Sequence, residues 1–201
     1  MAKSTFNYNR AVVIVHGKSE LCLVKYIHTN LHLPIKPYAH NRGNSSIQIT
    51  GLNKILKKRD FNNLKSFAEQ YNIEYSRKTK ELLNFKLFTI MDTDDCSATE
   101  LSQYKTGRLF EDCTLREYIV PLYNTKNLED VMMAAGIMTQ KIQTSDKGVY
   151  YSKVFPICKE GYSAETVSQV RLFYEKIKDL KNTNMRQFIE YCFSCLPDEK
   201  L

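Results

Sequence analysis

The run Phe85-Lys86-Leu87-Phe88-Thr89-Ile90-Met91-Asp92-Thr93-Asp94-Asp95 decides how this chain is read. An apolar stretch of that length ending in three carboxylates reads as a buried strand whose C-terminal end carries charge to a surface crevice, where open α/β sheets hold their ligands. Upstream, Ala11-Val12-Val13-Ile14-Val15 is a β-branched run followed by His16-Gly17-Lys18-Ser19-Glu20. It reads as a first, central strand and a tight glycine turn. Leu21, Leu23, Val24, Ile27 and Leu31 then recur at helical spacing, with Ser19 as the expected cap. Strand, turn and helix in succession open a doubly wound fold.

Leu33–Ala39 predicts a short edge strand, because its two prolines withhold ladder donors. The polar turn His40–Ser46 either holds a phosphate through backbone N–H groups and Arg42 or is a solvated connection. A helix is expected around Ile47, Leu52, Ile55 and Leu56, then helical cover for the sheet from Asp60 to Leu83, with the many Lys and Arg there read as a solvated face. Ser97 is expected to cap a helix through Leu101 and Tyr104, Tyr118–Tyr123 to form the next strand, and Leu128–Ala135 to start a helix. Val149–Phe155 reads as a last strand or an extended connection, before closing helices over Ser163–Lys178 and Asn184–Leu196.

The pattern predicts an α/β, Rossmann-like fold: a mostly parallel sheet flanked by helices, with a C-terminal helical extension. Residues 1–140 would form the α/β domain and 141–201 a strand and helical extension packed on it; seven Gly and five Pro in 201 residues leave little for long linkers. The net charge of +7 suits a polyanionic partner. Six cysteines include one close pair, Cys192 and Cys195, without the second pair or histidines of a zinc site, so reduced thiols are expected. Met1–Arg10 lacks the apolar core of a signal peptide and no run reaches transmembrane length, which predicts a soluble, cytoplasmic protein without a membrane partner.

Asp92 and Asp94 alternate on a strand, so the two carboxylates can share a side while Asp95 turns away or caps the next helix. Mg²⁺ takes hard oxygen ligands and keeps several waters, so two carboxylates plus a substrate phosphate suffice for it. Without a cation such a pair would raise at least one pKa; the bland alternative is a capping turn. His16 can serve as general acid or base, ligate a softer metal such as Mn²⁺, mark a site that has lost catalysis, or be only a hydrogen-bonded turn residue. Lys18 can meet a phosphate at the helix N-terminus, although Gly-Lys-Ser here lacks the upstream glycine of a Walker A loop.

Together, a strand ending in His-Gly-Lys-Ser-Glu and a later strand ending in Asp-Thr-Asp-Asp resemble the TOPRIM domain, shared by topoisomerases, primases and small nucleases of the OLD and RloB types. The resemblance covers roughly residues 11–135. In that family a glutamate-glycine pair follows the first strand, an Asp-x-Asp follows a later strand, and a further acid completes a Mg²⁺ site. Gly17 matches the glycine, Asp92 and Asp94 match the Asp-x-Asp, and Glu129 is the candidate for the later acid. His16 stands where the family has glutamate, and Glu20, one turn into the helix, is the carboxylate that can substitute. The resemblance implies Mg²⁺- or Mn²⁺-dependent phosphodiester cleavage or transfer on DNA or RNA, with Asp92, Asp94 and Glu129 at the metal and His16, Lys18 and Glu20 at the scissile phosphate. Its alternatives are a catalytically inactive module that binds nucleic acid or protein, and a small-nucleotide phosphohydrolase; a homodimer also stays open.

Overall fold

The computed structural model describes residues 8–140, 142, 147–158 and 163–196. Strand β1 (Ala11–Val15) leads into α1 (Lys18–Asn30), β2 (Ile35–Tyr38), the short α2 (Leu52–Leu56) and α3 (Leu64–Tyr71). A small antiparallel hairpin, β3 (Tyr75–Ser76) and β4 (Glu81–Leu82), precedes β5 (Lys86–Asp92), α4 (Ala98–Lys105), β6 (Ile119–Asn124) and α5 (Leu128–Ala134). Helices α6 (Lys147–Val154), α7 (Ala164–Ile177) and α8 (Arg186–Ser194) follow.

β1, β2, β5 and β6 form one parallel sheet in the order β2-β1-β5-β6. All five residues of β1 are fully buried, as a strand covered on both faces requires, and this is why its sequence is a continuous apolar run. Alternation divides the core. Val13, Val15, Phe88 and Ile90 face a layer built from α1 and α5–α8, whereas Val12, Ile14, Leu87 and Met91 face α2, α3, α4 and the hairpin.

The strand order fixes where a ligand crevice opens. The chain leaves β1 towards β2 on one side and leaves β5 towards β6 on the other, so the topological switch point lies between β1 and β5. Both strands run the same way, with Val15 opposite Ile90, so the ends that part there are His16-Gly17 and Asp92.

Several local expectations are corrected. Val149–Phe155 is not a strand: α6 covers Lys147–Val154, and Tyr151 and Phe155, one helical turn apart, stack with ring centroids 5.8 Å apart beneath α1. The extension from 141 to 201 therefore contributes helices and no strand among its described residues. Helical cover between Asp60 and Leu83 is limited to α3, which Asn72 ends in a left-handed conformation before the hairpin. Ile47 precedes α2 instead of starting it, and Ser97, not Asp95, caps α4 through a reciprocal box with Glu100.

Candidate functional site

The end of β1 is held from both sides. The His16 N–H donates to the Ile90 carbonyl at 2.8 Å, and the His16 carbonyl accepts from Ile47 N–H at 2.7 Å. Gly17, not Ser19, is the N-cap of α1: its carbonyl accepts from Leu21 N–H at 3.1 Å and its own N–H donates to Glu20 Oε2 at 2.9 Å. Glu20 thus folds back over its own helix start, which buries it almost completely. The loop His40–Ser46 presses on the same helix start. Gly43 has φ +87°, and a Cβ there would stand 3.1 Å from Lys18 Cα, so glycine is required both by conformation and by space.

At the end of β5, Asp92 is 6% exposed. Its Oδ1 accepts from Asn124 Nδ2 at 3.1 Å; Asn124 Oδ1 accepts from the Thr183 hydroxyl at 3.1 Å, and Thr183 Oγ1 accepts from Met185 N–H at 3.1 Å. This buried relay ties the acid to the segment entering α8. Beyond it, Thr93 N–H donates to the Lys126 carbonyl at 2.9 Å and Lys126 N–H donates to Thr93 Oγ1 at 3.1 Å, leaving Asp94 exposed at the crevice mouth. At α5, Asn127 accepts from Asp130 N–H at 3.0 Å as N-cap, and this places the buried Glu129 on the crevice wall. The Tyr151 hydroxyl of α6 lies 3.5 Å from Glu129 Oε1 and hydrogen-bonds the Ser19 side chain.

One cavity of about 430 Å³ brings all six sequence candidates together: His16, Lys18, Glu20, Asp92, Asp94 and Glu129 line it, at the switch point. Asp95 does not; it lies half-buried beside Gln48, with His16 close enough to attract its charge. Among the described residues, Lys18 is the one lysine or arginine on the wall, against four carboxylates. Burial, then the charge of Asp92, pushes the Glu20 carboxyl up to about 8, with His16 opposing the rise. Burial also pushes Asp92 up to about 7, helped by Asp94, Asp95 and Glu129 and resisted by the hydrogen bond from Asn124. Glu20 Oε1 and His16 Nδ1 are buried without a hydrogen-bond partner among the described residues.

Orphaned oxygen and crowded carboxylates fit a hard divalent cation in kind, because Mg²⁺ and Mn²⁺ take carboxylate oxygens. Among the described residues, however, no three His, Cys, Asp or Glu side chains stand as a ready-made coordination cluster. The site therefore supplies carboxylate donors around a cavity and not a preformed coordination cluster.

Asn124, Thr183 and Tyr151 join the site without having been singled out by sequence. Asn124 and Thr183 carry no local signal, being 32 residues after Asp92 and 59 after Asn124. Tyr151 could have been found from its spacing to Phe155, which is helical. Comparisons with family models, curated proteins and solved structures found no match. No helix among the described residues is long and apolar enough to cross a membrane.

Proposed function

We propose that this chain binds Mg²⁺ or Mn²⁺ among Asp92, Asp94 and Glu129 and acts on phosphodiester bonds of DNA or RNA, as a TOPRIM-like nuclease or phosphodiester-transfer protein. The observation that carries the proposal is the gathering of four carboxylates, from α1, the end of β5 and α5, on one cavity at the topological switch point. When bound, a cation there would neutralise charge developing on phosphoryl oxygens. Lys18, exposed in the first turn of α1, faces an incoming phosphate together with the positive end of that helix. Glu20 keeps a proton up to about pH 8, and its Oε1, without a partner among the described residues, and the adjacent imidazole of His16 would hold or pass a proton at the cavity wall.

The test is cleavage of labelled DNA and RNA with Mg²⁺ or Mn²⁺ by the native chain and by Asp92→Ala and Asp94→Ala. Loss of roughly a hundredfold or more in either variant is expected, on the scale of removing electrostatic stabilisation of a transition state. Cleavage unaffected by both substitutions overturns the proposal.

A second reading, binding of nucleic acid or protein without turnover, is favoured by His16 standing where TOPRIM domains have glutamate. It expects salt-sensitive binding, no native cleavage, and metal-dependent cleavage gained by His16→Glu. A small-nucleotide phosphohydrolase is favoured by the cavity volume of about 430 Å³, which suits a small ligand. It expects turnover of nucleoside phosphates and none of oligonucleotides.

A further inference from the structure

The layer over the second face of the sheet is sharply two-sided. Its inner side, which includes Leu52, Ile55, Phe61, Phe67 and Leu82, is buried. Its outer side carries Lys54, Lys57, Lys58 and Arg59 around the end of α2 and Arg77, Lys78 and Lys80 in the β3–β4 turn, all exposed. Residues 54–81 hold eight Lys and Arg against four Asp and Glu, so about a seventh of the chain contributes four of its seven net positive charges. Among the described residues only Lys65 of these eight has a carboxylate partner within salt-bridge reach, Glu69 at 3.9 Å.

Packing alone does not account for this arrangement. A merely solvated face gains from interspersing both signs, whereas unpaired like charges on one layer repel and lower stability. The cations also have a direction. The loop with Gly43, Asn44 and Ser46 that walls the cavity leads into α2, while the Asn9 N–H donates to the Asn72 carbonyl at 2.8 Å, anchoring the α3–hairpin connection beside the start of β1. An aromatic series bridges the two ends, with centroid separations of 5.2 Å for Tyr38–Phe61, 5.5 Å for Phe61–Phe67 and 5.7 Å for Phe67–Phe85. The basic residues therefore sit on the layer that joins the cavity-walling loop to the end of the sheet where β1 and β5 begin. Long, flexible cations in that distribution contact phosphates and do not read bases.

We infer that the outer side of the α2–hairpin layer is a docking surface for the sugar-phosphate backbone of a nucleic acid, held without regard to base sequence and led past the Gly43 loop to the cavity. The inference rests on the nucleic-acid reading of the cavity for its partner, but binding here does not require cleavage. It places the substrate among polymers long enough to touch both the layer and the crevice.

Fluorescence anisotropy tests it, using a labelled duplex of about 30 base pairs, in chelator, over salt from about 50 to about 300 mM. The proteins are the full native chain, Lys57→Gln/Lys58→Gln/Arg59→Gln and Arg77→Gln/Lys78→Gln/Lys80→Gln. Each triple variant is expected to weaken binding at least about tenfold at 100 mM salt and to flatten the slope of log K against log salt by about 2 to 3, with an unchanged urea midpoint. Native affinity and slope in both triples overturn the inference. Equal binding to phosphatidylserine vesicles, lost in the same variants, overturns the choice of nucleic acid as partner. Cleavage with Mg²⁺ or Mn²⁺ is followed in parallel in the native chain, in both triples and in Asp92→Ala. If Asp92→Ala cleaves like the native chain while the triples lose binding, the cavity reading fails and the surface stands; native binding by both triples with cleavage lost in Asp92→Ala sinks the surface and leaves the cavity reading intact.

Discussion

The side-chain amide of Asn124 donates a 3.1 Å hydrogen bond to Asp92 Oδ1, between residues that are register partners at the C-terminal ends of β6 and β5. Both are buried, and the far side of the amide is fixed by the Thr183 hydroxyl. The geometry leaves Asn124 one orientation in which every partner is satisfied, so it aims Asp92 while holding its pKa below what burial alone would give.

Asn124→Leu should therefore act on stability and on ligand binding together. It strips a partner from a buried carboxylate and from a buried hydroxyl, a loss of about 2–4 kcal/mol by urea denaturation. Asp92 then ionises at higher pH, and Mn²⁺ affinity measured by titration calorimetry should gain its pH-dependent rise later than in the native chain. Thr183→Val removes the hydroxyl that donates to Asn124 and accepts from Met185 N–H while leaving the bond to Asp92, and is expected to cost about 1–3 kcal/mol. An unchanged pH profile for Mn²⁺ in Asn124→Leu would show that the amide does not position Asp92.

Stability itself should carry the signature of the crowded acids. The folded chain keeps a proton on Glu20 up to about pH 8 and on Asp92 up to about pH 7. Unfolded carboxyls release theirs near pH 4, so between these limits the folded state binds more protons and stability falls as pH rises, levelling off above about pH 8. The fall is on the order of several kcal/mol. Glu20→Gln removes one of the two contributions, so it should match the native chain near pH 4 and exceed it by about 2 kcal/mol or more at pH 8.5. Saturating Mg²⁺ or Mn²⁺ should stabilise the native chain more at pH 8 than at pH 5, because the cation binds the ionised form. Urea denaturation across this range provides the check; a native profile flat from pH 4 to 8.5 contradicts the burial of these groups.

The parts of this architecture that could be read from sequence are those set by local pattern. β1 and β5 are visible as continuous apolar runs because a parallel strand buried on both faces has no polar positions to interrupt it. Ser97 and Ser163 announce α4 and α7 because each forms its box with a residue three positions on. The site's carboxylates were legible because β5 ends in them and α1 and α5 begin with them. α6 escapes a local reading because Val149, Tyr150 and Tyr151 favour strands, and the stacking of Tyr151 on Phe155 under α1 overrides that preference. The Asn124–Thr183 relay exists only once α8 is docked.

His16→Glu asks what the imidazole does at the end of β1. Opposite charge on His16 opposes the upward shifts of both Glu20 and Asp95, so the ring sits among acids that it partly offsets. A glutamate there replaces that offset with a further negative charge. In chelator the variant should lose about 1 kcal/mol at pH 8, since the position is half-buried and solvent screens part of the repulsion, and less at pH 5, where its neighbours are protonated. Mn²⁺ should bind it about tenfold more tightly than the native chain, because a cation relieves the added repulsion. Denaturation at the two pH values and calorimetric titration decide the matter. A variant as stable as the native chain in chelator at pH 8, with native Mn²⁺ affinity, would mean that His16 faces away from the acids and serves only the turn between β1 and α1.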